Sequence, residues 1–184
     1  MIPQKKLIHE IPLPEGVKAE ISEDSILTVE GPAGKVSKSL DNPMIKVTVE
    51  GNAVKVLPKK FTKNEKKLTN TFRAHIKNLI KGAQEKYTYK LKVCSSHFPM
   101  TVTKEGNTIT VKNLFGEKVP RKAKVLEGVD VKIEGDIITL TGTSKENVGQ
   151  TAANIEQSTR ITNRDRRVFG DGIWITEKAG APIK

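Results

Sequence analysis

One pattern of strands and turns occurs twice along the 184-residue chain, at an offset of about 84 residues. In the first copy the turn Glu50-Gly51-Asn52 separates two alternating strands, and in the second copy Glu134-Gly135-Asp136 does the same. A short glycine turn between alternating strands predicts a β-hairpin. Residues 25–34 match residues 107–116 at a similar offset. Internal repetition of this kind indicates a duplication, and therefore two similar small domains in tandem.

Each copy is followed by a segment with helical spacing. Thr62-Lys-Asn-Glu65 resembles a capping box, and apolar residues then recur at helical spacing until Gly82, where we expect the helix to end: Leu68, Phe72, Ile76, Leu79 and Ile80. Thr143-Ser-Lys-Glu146 opens a second helix. An alternating strand at residues 87–93 is predicted to join the copies. The predicted fold is α+β, with domains at residues 1–84 and 85–184, each a mostly antiparallel sheet packed with one helix.

The charge of the chain favours an anionic partner. The sequence has 32 basic and 21 acidic residues, which give a net charge of +11 and a pI of about 9.7. This balance points to nucleic acid or to an anionic membrane surface, with a merely soluble basic protein as the alternative. We expect no amphipathic basic helix with large apolar residues, no transmembrane span and no signal peptide. With a single cysteine no intramolecular disulfide can form, so we expect a cytoplasmic protein without a membrane partner.

The arginines are concentrated near the C-terminal end. Four of the six arginines lie in the eight residues from Arg160 to Arg167, here called the arginine segment. Arginine offers a planar fork of donors that suits phosphate and base stacking, whereas lysine is a mobile point charge. If the preceding helix continues, Arg160, Arg164 and Arg167 share one face. If it ends near Asn163, they project from a loop. We interpret the segment as RNA-binding; the alternative is a solvated, charged helix end.

The candidate site extends beyond the arginine segment. The residues predicted to bind RNA are Arg160, Asn163, Arg164, Arg166, Arg167, Lys178, Lys184, Lys118, Arg121 and Lys122. The residues predicted to support the segment are Phe169, Gly170, Asp171, Gly172 and Trp174, the last expected to be packed. Asp165 is expected to orient one arginine, and Val168 and Phe169 to hold the loop to the core. The lysine run at residues 59–67 is the weaker candidate for contact with RNA.

The sequence offers no active site. Cys94 and His97 have a Cys-x-x-His spacing, but no second pair completes a zinc site. The glycine pairs at residues 31–34 and 170–172 lack the lysine and the helix start of a phosphate-binding loop. Arginines around Asp165 and Asp171 would repel a divalent cation. We therefore expect no enzyme activity, no metal, no cofactor and no small-molecule substrate.

The end of the chain carries a family resemblance. After two copies of a small strand-rich domain, Arg164-Asp-Arg-Arg-Val-Phe-Gly-Asp-Gly-Ile-Trp-Ile175 resembles the sixth protein of the large ribosomal subunit, in its archaeal or eukaryotic-like variant. The pattern Arg-x-Phe-x-Asp-Gly-Ile-Trp at residues 167–174 is the most specific signature of that family, and the likeness covers essentially the whole chain. Bacterial members carry a Lys-Gly-Lys-Gly-type sequence here. Asn163-Arg-Asp-Arg166 departs from it, which favours the archaeal type.

The resemblance implies a structural, non-catalytic ribosomal protein. It implies binding to large-subunit rRNA through the second domain, close to the stalk base and the sarcin-ricin loop. The implied neighbours are other large-subunit ribosomal proteins near the stalk base, with translation factors docking nearby. The alternative is a stand-alone RNA-binding or ribosome-assembly factor that visits RNA without residing in the ribosome. A protein–protein adaptor role for the strand edges of the first domain is compatible with either.

Overall fold

The computed structural model describes residues 8–96, 98–165 and 167–183. The chain divides into two compact units, one reaching to Lys86 and the other beginning at Tyr87. We propose that these units are the two domains produced by the duplication. All strand pairings among the described residues are antiparallel. Neither helix in these ranges is long and apolar enough to cross a bilayer.

The first unit has two three-stranded sheets and one helix within its described part. The sheets have the orders β1-β6-β5 and β2-β3-β4. The elements are β1 (His9–Pro12), β2 (Lys18–Ile21), β3 (Ile26–Gly31), β4 (Gly34–Ser39), β5 (Ile45–Glu50), β6 (Ala53–Pro58) and α1 (Lys63–Gln84). The predicted hairpin is confirmed, because Glu50 pairs with Ala53 across a two-residue turn. Gly51 has φ = 57° there, a conformation that glycine adopts without strain.

The second unit has a three-stranded and a five-stranded sheet. Their orders are β10-β9-β8 and β11-β12-β7-β13-β14. The elements are β7 (Tyr87–Cys94), β8 (Thr101–Glu105), β9 (Thr108–Lys112), a 3-10 turn (Leu114–Gly116), β10 (Arg121–Lys124), β11 (Val129–Glu134), β12 (Ile137–Gly142), α2 (Lys145–Ser158), β13 (Gly172–Lys178) and β14 (Ala181–Pro182). The predicted α+β class is confirmed, with two small sheets in each unit.

The two units repeat the same sheet orders. The order β1-β6-β5 corresponds to β7-β12-β11, and β2-β3-β4 corresponds to β8-β9-β10. The predicted strand at residues 87–93 is confirmed as β7. It is not a connection between the copies, since it is the middle strand of the five-stranded sheet. Its second edge is occupied by β13, with Ile173 opposite Val93. Strands β13 and β14 have no counterpart in the described part of the first unit, and they follow the arginine segment in sequence. The segment therefore connects the duplicated part of the second unit to these two additional strands.

Both predicted helix starts are confirmed. The Thr62 hydroxyl accepts a hydrogen bond from the Asn64 backbone N–H at 3.3 Å, and Ser144 accepts one from Asn147 at 3.3 Å. The expected end at Gly82 is wrong, because α1 continues to Gln84. The last turn is held by tertiary contact, since the Ala83 carbonyl accepts a hydrogen bond from the Ala33 N–H at 2.8 Å. This contact outweighs the low helical propensity of glycine.

Each unit has its own apolar core. In the first, the buried face of α1 packs on both sheets through Phe72, Ile76, Leu79 and Ile80. In the second, Val148, Ala152 and Ile155 of α2 pack against the strands. Ile173 of β13 is fully buried in this second core. Burying a side chain of this size stabilises a fold by about 1.5–3 kcal/mol, so the strand after the arginine segment is a core element.

Candidate RNA-binding site

The arginine segment lies in the connection between α2 and β13. The helix ends at Ser158 and Thr159 caps it, so Arg160, Arg164 and Arg167 lie outside the helix. Asn163 has a left-handed backbone with φ = 59°, which asparagine tolerates better than most residues. Arg160, Arg164 and Arg167 therefore project from a loop and share no helical face. The helix ends at Ser158, however, five residues before the predicted end near Asn163.

Hydrogen bonds close the base of this connection. The buried Thr159 hydroxyl accepts a hydrogen bond from the Ile173 N–H at 3.0 Å. The Glu156 carboxylate accepts one from the Ile175 N–H at 3.1 Å. Because both bonds join the last turn of α2 to β13, the two ends of the loop are fixed to each other and to the core.

Asp171 fixes the C-terminal side of the loop from within. Only 1% of Asp171 is exposed, and its carboxylate accepts a hydrogen bond from the Ser96 backbone N–H at 2.9 Å. The next residue, Gly172, has φ = 151°, and an added Cβ would lie 3.4 Å from the Thr159 hydroxyl oxygen. The half-buried Trp174 donates its indole N–H to the Gly170 carbonyl at 3.0 Å. The glycine turn is therefore held by side chains on both sides.

Arg164 rests on two aromatic rings. Its guanidinium carbon lies 5.3 Å from the centroid of the Phe115 ring and 5.0 Å from that of Phe169. The two rings meet edge to face with centroids 5.8 Å apart. Phe115 has φ = 51°, a rare conformation for a bulky side chain. Cation–π contact with two rings restrains the position of a guanidinium while N–H groups can still point outward. Arg164 is exposed and held in place in this way.

Arg121 acts on the loop from β10. Its Nη1 donates to the carbonyl oxygens of Ser158 and Arg160, at 3.0 and 2.9 Å. Its Nε and Nη2 donate to the Glu117 carboxylate at 2.8 and 2.6 Å. Four of its five N–H groups are thus used inside the protein. Arg121 therefore binds carbonyl oxygens at the C-terminal end of α2. A cation in this position stabilises the helix, because the C-terminal end of a helix carries partial negative charge.

The Glu117–Arg121 pair predicts a pH-dependent stability. The hydrogen bond from Arg121 lowers the pKa of the Glu117 carboxyl below its ordinary value of 4.5. A carboxyl with a lowered pKa stabilises the fold fully above the unfolded pKa, and this contribution is lost as pH falls through the folded pKa. Since the pair is partly exposed, we expect Glu117→Gln to cost about 0.5–1 kcal/mol at pH 7. The difference from wild type should shrink below pH 4.5.

Urea denaturation at neutral and acid pH measures this difference. The exposed Glu105→Gln on β8 is the matched control, because it removes the same charge from the same unit. A Glu117→Gln effect that is equally large in acid would contradict the ion-pair explanation.

Asp165 orients Arg167, as expected of an acidic residue within the segment. The Arg167 side chain donates from Nη2 to Asp165 Oδ2 at 2.9 Å, and its backbone N–H donates to Asp165 Oδ1 at 2.9 Å. These bonds lower the pKa of the Asp165 carboxyl. The Arg167 side chain remains 90% exposed. Val168 is 64% exposed, so its expected role in holding the loop to the core is wrong. Phe169 packs against Phe115 instead.

The remaining predicted residues are spread over the unit. Arg160 is exposed and lines a shallow pocket with Glu156, Gln157 and Trp174. Lys118 is exposed just beyond the 3-10 turn that carries Phe115. Lys122 follows Arg121 on β10 and therefore faces the opposite side of the strand. Lys178 lies at the far end of β13, roughly 20 Å from Gly172 at about 3.3 Å per residue. Arg166 and Lys184 lie outside the described residues.

The sequence did not single out five residues that hold the loop. They are Ser96, Phe115, Glu117, Glu156 and Thr159. For Phe115 and Glu117 a signal was available, because an aromatic and an acidic residue flank Gly116 just before Arg121. Ser96 carries none, since its contribution is a backbone N–H.

Fold and site together define a class of protein: a duplicated α+β scaffold that displays a cationic loop. Comparison with known proteins makes the class specific. The family model described as ribosomal protein L6 matches residues 13–86 and 98–172, so the chain belongs to the ribosomal protein L6 family. Each match falls within one unit. The second match contains the whole arginine segment.

Two archaeal relatives are similar over nearly their whole length. The chain is 45% identical over 172 residues to the large ribosomal subunit protein uL6 of Methanococcus vannielii, covering 94% of each chain. It is 43% identical over 175 residues to the large ribosomal subunit protein uL6 of Methanosarcina mazei, covering 95% of this chain and 99% of the relative. Membership of the family confirms a structural, non-enzymatic role in the ribosome of the cytoplasm.

Proposed function

We propose that the chain is a structural constituent of the large ribosomal subunit and binds large-subunit rRNA through its second unit. The observation that carries this proposal is the mounting of the arginine segment. Its loop is closed at the base by Thr159 and Glu156, and its Arg164 lies over two aromatic rings. A preorganised guanidinium loses little conformational entropy on binding, which favours the complex.

The chemistry of the segment fits a phosphate backbone. Arg160, Arg164 and Arg167 present planar donor groups that match phosphate oxygens in pairs. We include Asn163, Arg166, Lys118 and Lys184 among the proposed contacts on sequence grounds. Arg121 is a positioning residue in this proposal, because it binds the carbonyls at the end of α2. Lys122 and Lys178 would contact RNA separately from the loop. Recognition would depend on the shape of the RNA, since its major groove is too narrow for side chains to reach the bases.

The proposed location is the region near the stalk base where translation factors dock. Its support is the resemblance of residues 164–175 to the archaeal-type family signature, together with the family relationship. The proposed partners are large-subunit rRNA and the ribosomal proteins next to it there. The proposal requires a protein that remains in the subunit; the alternative is an assembly factor that leaves it.

A two-part experiment tests the proposal. Large subunits washed in high salt and separated on a sucrose gradient should retain the chain, whereas a visiting factor would be lost. Purified protein at physiological salt should then prefer large-subunit rRNA over an equal mass of generic duplex RNA. Equal binding to the two RNAs would contradict specific recognition. Truncation after Glu156 is a poor probe, since it removes β13 and the buried Ile173; substitutions at the arginines are cleaner.

A further inference from the structure

The outer face of α1 carries a row of basic side chains in the first unit. The helix has 22 residues and carries Lys63, Lys66, Lys67, Arg73, Lys77 and Lys81, each of them exposed. At about 100° per residue, these six positions fall within roughly one third of the helix circumference. They span about 27 Å along the axis, at 1.5 Å per residue. Within α1, all of which the structure describes, the one acidic residue is the buried Glu65.

The fold does not require this surface. The equivalent helix of the second unit, α2, packs on its sheets with one lysine and two glutamates in 14 residues. Lys63, Lys66 and Lys67 lie in the first turns of α1, where positive charge opposes the helix dipole. Lys63 and Lys67, and likewise Arg73 and Lys77, are like charges four residues apart, a spacing that destabilises a helix. Charges that weaken the helix in this copy alone indicate a function other than folding.

The surroundings of the surface indicate the kind of partner. The expectation that the chain has no amphipathic basic helix is wrong, because α1 is basic on one face and apolar on the other. Its apolar side is buried in the core of its own unit through Phe72, Ile76, Leu79 and Ile80, so no apolar face is left for a membrane or a partner helix. The large hydrophobic side chains that are exposed in the described residues all lie outside α1. Protein interfaces rely on buried aromatic and apolar anchors. Binding to a phosphate backbone requires only cations.

We infer that the exposed basic face of α1 is a second RNA-binding surface, which contacts the phosphate backbone of rRNA without reading its sequence. The inference rests on the proposed function in taking rRNA as the ligand, but it uses none of the residues of the arginine segment. Lysine predominates on this face, and lysine binds phosphate as a point charge without geometric selectivity. The first unit would therefore add affinity, while the second unit supplies recognition.

The test compares two triple variants of the full-length chain. Lys63→Gln, Lys67→Gln and Lys77→Gln together should lower the salt slope of binding to large-subunit rRNA by about two to three units, at roughly 0.7–0.9 per phosphate contact. Because like charges are removed from α1, the melting temperature of the protein should stay the same or rise. The control is Lys18→Gln, Lys35→Gln and Lys46→Gln, three exposed lysines on the strands of the same unit. The control should leave the slope close to the wild-type value.

Two outcomes would overturn the inference: a wild-type slope in the α1 variant, or an equal fall of the slope in the control. An α1 variant that keeps the wild-type slope and also fails to enter reconstituted subunits would indicate an acidic protein as the partner of this face. Failure of the proposed function is distinguishable, because the wild-type protein would then show no preference for rRNA. If replacement of Arg160, Arg164 and Arg167 with glutamine lowers the affinity and the α1 variant does not, only this inference fails.

Discussion

Replacing Arg160, Arg164 and Arg167 with glutamine is expected to reduce the salt dependence of rRNA binding strongly. All three are exposed, and the loop that carries them is fixed at its base by bonds to β13. Their loss therefore removes the proposed phosphate contacts without removing a core residue. The salt slope should fall by about two to three units, so that wild type loses about 20- to 40-fold more affinity than the variant between about 50 and 200 mM salt. Filter binding over a salt series measures this.

The matched control keeps the change in charge and moves it elsewhere on the second unit. Lys104→Gln, Lys112→Gln and Lys132→Gln remove three exposed cations from β8, β9 and β11. A similar fall in slope for the control would mean that net charge, and not the arginine segment, determines binding. Circular dichroism of both variants establishes that each is folded before affinities are compared.

Replacing Ile173 with alanine should destabilise the second unit by about 2–5 kcal/mol, the usual cost of removing a buried isoleucine. Ile173 is fully buried and lies on β13, which pairs with β7. The sole tryptophan, Trp174, is the next residue on this strand, so its fluorescence reports the unfolding of this unit. Urea denaturation followed by fluorescence should show an earlier transition. If the units are separate domains, the part of the circular dichroism transition that belongs to the first unit should not move.

Ile137→Ala on β12 is the control for the same chemical change. Ile137 is 48% exposed, and a surface substitution of this kind changes stability by about 0.5 kcal/mol or less. Equal shifts for the two variants would contradict the place of β13 in the core. A single transition that shifts as a whole in the Ile173 variant would mean that the two units unfold together, against the two-domain proposal.

The local features of the fold could be predicted because their causes are local. The hairpin at Gly51-Asn52 depends on a turn that glycine permits and on the alternation of the strands beside it. The starts of α1 and α2 depend on the capping hydroxyls of Thr62 and Ser144, within three residues of the groups they bind. The repeat needed only comparison of the chain with itself. Helix α1 extends two residues beyond its predicted end at Gly82. The contact between Ala83 and Ala33 that holds its last turn spans about 50 residues and leaves no local signal.

The sequence predicts the arginine-rich composition of the candidate site, but not the contacts that each arginine makes. A concentration of arginines in a lysine-rich chain is visible in the sequence, and so is the Phe-Gly-Asp-Gly turn after it. Their separate tasks are not visible. Arg121 is predicted to contact RNA, but it donates four hydrogen bonds within the protein. Two go to the Glu117 carboxylate, and one each goes to the carbonyls of Ser158 and Arg160, almost 40 residues away. Arg164 and Arg167 also differ in their contacts. Arg164 lies over aromatic rings, whereas Arg167 is paired with Asp165.

The sequence by itself determined the duplication, the α+β class, the positions of most strands and helices, and the cationic segment. Each of these follows from periodicity, turn chemistry or charge over a few residues. Only the tertiary structure decided that β7 is an interior strand, that Asp171 is buried against Ser96, and that Phe115 lies under Arg164. The order of strands brings these residues together across tens of positions, and hydrogen bonding and packing between such distant groups leave no periodic trace in the chain.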